Sequence, residues 1–191
     1  MARLPYPDLK DLSPENRDLM ASLPPLNVFR MMSGAAASFA PFMQFISAYL
    51  NEGVLDPELR ELVILRVGHL CGSAYEVHQH ERVSRTLGIS EARIQAVKDK
   101  LPNDLLSDAE NAALLFADEQ VAQVKVSDTT FTATHTHLTD PQVVELTIIV
   151  GTYLMVCRFL ETLEIELEET DIDGSGLEEI EASVKSLNGG E

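Results

Sequence analysis

Paired helix-start residues punctuate this chain at Ser13-Pro14, Asp56-Pro57 and Asp140-Pro141. A short polar side chain caps the first free amides of a helix, and proline at the next position has no amide to leave unsatisfied. Alternation of apolar and polar residues is absent over any useful length, so the fold class expected is all-α. At 191 residues the chain is long enough for one domain with a sizeable core. Hydrophobic residues at 45% and charged residues at 24% fit a folded globular chain.

The punctuation divides the chain into an N-terminal arm with a short helix (1–25), a helical body (26–165) and an acidic tail (166–191). A helix opening at Ser13-Pro14 stops at Pro24-Pro25. A long apolar helix is expected over 26–52, bent or interrupted at Pro41. A largely buried helix follows from Asp56-Pro57 to about Leu70, and another runs from Ser73 to Leu87 and ends at Gly88. A short helix follows Ser90, two more cover Ser107–Val121 and Ser127–His135, and the last runs from Asp140-Pro141 to about Leu163. The runs ELVILRVGHL from Glu61 and ELTIIVGTYL from Glu145 are identical at four of ten positions, which shared demand for buried helix largely explains.

Charge narrows the partners. A formal net charge of −17 disfavours nucleic acid and anionic membranes, either of which needs a basic face. Much of the excess is local, because residues 161–191 hold eleven acidic side chains against Lys185 alone. No apolar run approaching the ~18 residues of a membrane span is read, and the N-terminus lacks a basic region followed by an apolar stretch, so a cytoplasmic location is expected. Cys71 and Cys157 read as reduced, small core residues.

The candidate centre lies between Glu61 and His80, where two helices meet near Gly72. Glu76 and His80 are four residues apart and share a helix face, so they can exchange a proton directly or through a substrate. Glu61 sits on an otherwise apolar helix, with Gly68 two turns later suggesting close packing or space for a ligand. A lone buried carboxylate is costly, so Glu61 should pair with Arg60, Arg66 or a helix end. Ser73 and Glu76 also fit a purely structural capping box. His78 and His80 point apart on a helix, and no metal site is expected. In the tail, Asp171 to Gly176 imitates the opening of a calcium loop, but Ala182 stands where its bidentate Glu is required. A short helix over Leu177–Leu187 is expected instead.

The pattern Glu61-LVILRV followed by Gly72-Ser73-x-Tyr75-Glu76-x-x-x-His80 resembles the carboxymuconolactone decarboxylase-like family, which includes the AhpD-type alkylhydroperoxidases; Tyr153 and Arg158 also look familial. The resemblance implies an AhpD-like helical domain with its motif on a helical hairpin and assembly as a trimer or hexamer. The peroxidase branch has the form E-x11-C-x2-C-x3-H, which places its two thiols at Ser73 and Glu76, so that disulfide cycle cannot run on this motif.

Tyr75-Glu76 instead resembles the decarboxylase members. The expected function is therefore cofactor-independent acid/base chemistry on a small carbonyl or lactone acid. His80 would deliver the proton, Glu76 or Glu61 would orient or recharge it, and Tyr75 would hydrogen-bond an enolate oxygen. Ser73, Arg66 and Arg158 are the expected substrate contacts, the arginines supplying cations that two glutamates cannot. The alternative is a non-catalytic ligand-binding or structural oligomer; a thiol peroxidase ranks third.

Overall fold

A computed structural model describes residues 1–168, and the tail features at Asp171–Gly176 and Leu177–Leu187 lie outside that range. The described residues form nine α-helices, a short 3-10 turn at Leu9–Asp11 and no strand, as the helix punctuation predicts. They fall into two compact units, 1–53 with 163–168, and 54–162.

The first unit contains α1 (Pro14–Ser22), α2 (Asn27–Met32) and α3 (Phe39–Glu52). Ser13 caps α1 through the amide of Asn16. One expectation is corrected here. The single helix over 26–52 is two helices, and the interruption falls at 33–38, ahead of Pro41. Pro41 instead occupies the first turn of α3, where its missing amide would have had no helical acceptor. The returning chain is tied to the N-terminus by the amide of Arg3, which donates to the Leu163 carbonyl at 2.9 Å, and by the Arg3–Glu164 ion pair at 2.7 Å.

The second unit holds α4 (Pro57–Cys71), α5 (Ala74–Thr86), α6 (Glu91–Ala96), α7 (Asp108–Gln123), α8 (Asp128–His137) and most of α9 (Asp140–Leu163). Asp56 caps α4 by accepting from the amides of Glu58 and Leu59. Every residue from Leu59 to Gly68 is buried, as expected of a helix apolar on nearly all sides. It packs against α5 and α7. Leu62, Ile64, Leu65, Leu114, Leu146 and Ile149 are completely enclosed and form the centre of this core.

Two glycines shape the α4–α5 hairpin. Gly72 ends α4 in the left-handed region at φ +66°, a conformation that glycine adopts without the Cβ clash of other residues. At Gly68 an added Cβ would lie 3.1 Å from Val77 Cγ2 and 3.5 Å from Glu76 Cγ, so its absence permits close approach of the two helices.

At the far side of the unit, Glu145 accepts from the amides of Val54 and Leu55 at 2.7 and 3.3 Å, fixing the approach to α4. The two similar runs thus place their glutamates in different work, Glu61 of α4 inside the core and Glu145 of α9 accepting from the amides ahead of α4. By length and composition α9 could cross a membrane, which corrects the reading that no stretch comes near that measure. Its Val143, Leu146, Ile149, Val150 and Leu160 are core residues of the helical fold.

Candidate functional site

The hairpin brings Glu61 of α4 and Glu76 and His80 of α5 to one point. Glu61 is fully buried, and its Oε2 lies 2.6 Å from His80 Nδ1 while Oε1 accepts from Arg60 Nε at 3.3 Å. On the other side of the imidazole, Nε2 lies 3.0 Å from Glu76 Oε1. That second contact is a charge pairing without well-aligned hydrogen-bond geometry, since Oε1 has no aligned donor. Tyr153 from α9 meets the His80 ring edge to face, with centroids 5.0 Å apart.

Electrostatics make His80 a cation. Burial pushes an imidazole toward its neutral form, but Glu61 and then Glu76 more than reverse this and raise it to about 10. The sequence left Arg60 and Arg66 as alternative partners of Glu61, and the structure selects Arg60, with His80 beside it. Arg60, Glu61, His80 and Glu76 therefore form a row of alternating sign, which is what allows a fully enclosed carboxylate to remain in the core.

Other candidate residues fall elsewhere around the hairpin. Arg66 is buried with its donors engaged by Asp118 at 2.6 and 2.7 Å and by the carbonyls of Val97 and Asp99 at 2.6 and 2.9 Å. Arg158 is exposed on α9, close enough to Cys71 to influence its charge. Tyr75 is buried in the first turn of α5. The capping-box reading of Ser73 and Glu76 is corrected: Ser73 precedes α5 but makes no side-chain cap, and Glu76 turns to His80. Ser73 Oγ, wholly buried, is left beside the Cys157 thiol.

Sequence reasoning did not relate Cys71 and Cys157, which lie close enough to influence each other's ionisation. Only the path of α9 past the end of α4 reveals their proximity, because no local spacing links the two residues. Cys71 is also only partly buried, which corrects its reading as a core residue. Among the described residues no cluster of three or more His, Cys, Asp or Glu side chains is arranged to hold a metal ion.

The helical architecture of the described residues is the AhpD-like helical fold. Residues 36–119, which include Glu61, Glu76 and His80, match the carboxymuconolactone decarboxylase family, so the family resemblance is borne out. The fold is similar to the alkylhydroperoxidase AhpD core of an uncharacterized peroxidase-related protein from Ralstonia eutropha, with TM-score 0.76 and 21% identity over 88% of this chain and 93% of that one. An uncharacterized peroxidase-related protein from a Silicibacter species gives TM-score 0.72 and 15% identity over 87% and 91%. A protein of unknown function from Agrobacterium tumefaciens gives 0.65 and 21% over 72% and 96%. No curated protein matches the chain in sequence.

Proposed function

We propose that the chain is a cofactor-independent acid/base enzyme of the decarboxylase type, acting on a small carbonyl or lactone acid. The observation that supports this best is His80 held between Glu61 and Glu76 and kept protonated. Loss of carbon dioxide breaks a carbon–carbon bond and leaves its electron pair on carbon, delocalised onto the adjacent carbonyl as an enolate. Protonation of that carbon completes the reaction, and His80 supplies the proton from Nε2.

Their positions support unlike work for the two carboxylates. Glu61 holds Nδ1 and fixes the ring, so it positions. Glu76 covers Nε2 and must give way to substrate before the proton can leave. Its departure removes part of the field that holds the proton, making His80 a stronger acid at the moment of transfer. Tyr75 would donate to the enolate oxygen, and Ser73 would contact the substrate. Arg158 would offer a cation to a substrate carboxylate, while Arg66, already engaged with Asp118, would support the hairpin.

A cytoplasmic homo-oligomer, trimer or hexamer, completes the proposal, with no nucleic-acid or membrane partner. The exposed side of α9 supports assembly, since Val144, Ile148 and Met155 recur there at helical spacing. A panel of carboxylactones and β-keto acids, assayed for carbon dioxide release alongside peroxide consumption, tests the reaction class. Release that collapses in His80→Ala is the expected result. Activity that survives Glu61→Ala, Glu76→Ala and His80→Ala alike would place the chemistry elsewhere.

A non-catalytic ligand-binding role is the second reading, favoured by the near-complete enclosure of His80 with both ring nitrogens engaged. Thermal shifts by small carboxylates that vanish in His80→Ala, with no turnover of any acid tested, would support it.

A further inference from the structure

Along the buried side of α9 the residues that recur at helical spacing are mostly aliphatic: Leu146, Ile149, Val150, Val156 and Leu160. Tyr153 continues the same stripe and is itself only 6% exposed. An aliphatic side chain would serve packing there, whereas an aromatic ring adds a flat face of fixed direction. That ring meets the His80 imidazole at a centroid distance of 5.0 Å, with the two planes 88° apart.

The contact gains its importance from what else holds the imidazole. Glu61 Oε2 lies 2.6 Å from Nδ1 and Glu76 Oε1 lies 3.0 Å from Nε2, so a carboxylate stands at each nitrogen. While both are in place the ring needs no further restraint. Once Glu76 is displaced by a substrate, the contact at Nδ1 remains alone. The torsion between a tetrahedral carbon and a flat ring is soft, and one hydrogen bond does not stop the ring from turning about it. Turning would swing Nε2, which carries the proton to be transferred, off its target.

We propose that Tyr153 is a positioning residue for His80, whose ring blocks rotation of the imidazole about χ2 and keeps Nε2 aimed when Glu76 moves aside. Enclosed in the core, Tyr153 cannot turn away without disturbing its close-packed neighbours. The long helix α9 thereby takes part in the site through one core side chain, acting on His80 rather than on the substrate. The effect on turnover rests on the acid/base reading given above. The restraint on the ring follows from packing alone.

Glu76→Ala imitates the displacement and leaves α9 untouched. In that variant the His80 Cδ2 and Cε1 protons should give one narrow pair of NMR signals, with cross-relaxation to the Tyr153 ring protons. In Glu76→Ala/Tyr153→Leu the pair should broaden or average as the ring samples several orientations. Glu76→Ala/Tyr153→Phe should restore the narrow pair, and circular dichroism checks that each variant folds. On whichever acid releases carbon dioxide, Tyr153→Leu alone should lower kcat by about tenfold to a hundredfold with KM unchanged, and Tyr153→Phe should stay close to wild type.

An imidazole already averaged in Glu76→Ala would overturn the proposal, as would one that stays ordered in the leucine double variant. So would a phenylalanine variant that behaves like leucine, since the hydroxyl and not the ring would then be at work. A kcat unchanged in Tyr153→Leu counts against it equally. If the leucine variant does not fold, the Glu76→Ala spectrum still decides. The NMR outcomes do not depend on turnover, so failure of this inference is distinguishable from failure of the decarboxylase reading.

Discussion

His80 Nδ1 and Glu61 Oε2 lie 2.6 Å apart across the α4–α5 hairpin, joining a histidine that is mostly enclosed to a carboxylate that is wholly so. This contact fixes the ring, sets its charge and compensates the burial of Glu61. Its loss should therefore be visible in titration and in stability.

Glu61→Gln removes the largest attraction on the imidazolium and leaves burial to act against it. His80 should titrate near 10 in the wild-type chain and clearly lower in the variant, followed by the ring proton and carbon shifts in NMR. The same shift governs stability. A folded-state value above the ordinary 6.5 means that the stabilisation is fully present below about pH 6.5 and disappears as pH rises through about 10. Urea midpoints should accordingly fall between pH 8 and pH 11 in the wild-type chain, and less steeply in Glu61→Gln.

His80→Ala leaves Glu61 enclosed with Arg60 as its remaining ion-pair partner. Breaking a buried pair by removing one member costs about 3–5 kcal/mol. The double variant Glu61→Leu/His80→Ala removes the stranded charge and should recover part of that loss, as measured by chemical denaturation.

Arg66→Met should destabilise the fold by about 2–3 kcal/mol, through loss of charge-assisted bonds to Asp118 and to two carbonyls. A direct substrate contact would instead raise KM with little change in the melting curve. Measuring both quantities on the same preparation separates these roles.

Gly68→Val tests the hairpin packing. Its Cβ would fall 3.1 Å from the branched, stiff side chain of Val77, and two further methyls would have to fit beside it. Overpacking of this kind costs about 1–3 kcal/mol. Glu76, whose Cγ lies 3.5 Å from the same point, should shift, so His80 should titrate differently as well.

Much of the arrangement is legible in the sequence. Helix starts at Pro14, Pro57 and Asp140 follow from local capping chemistry, and Glu76 and His80 share a face by helical spacing. Glu61 was readable as a carboxylate in need of a partner, but its choice of Arg60 over Arg66 depends on which way α7 packs against α4. Ser73 fits a capping box in its letters, yet the sharp left-handed corner at Gly72 turns it inward and gives Glu76 a stronger attraction in His80. The break at 33–38 went unread because its Gly-Ala-Ala-Ala stretch carries no breaker as plain as Pro41. The nearness of the two cysteines lay beyond any local rule.

Counting formal charges, the four-member row from Arg60 through Glu61 and His80 to Glu76 sums to zero. An anion settling against it upsets that neutrality unless something positive arrives at the same time. A bound carboxylate must then draw in a proton or recruit a guanidinium, and its affinity should weaken as the solution becomes more alkaline. Proton uptake on ligand binding, followed by calorimetry in buffers of different ionisation heat, is the signature such a balanced row would leave.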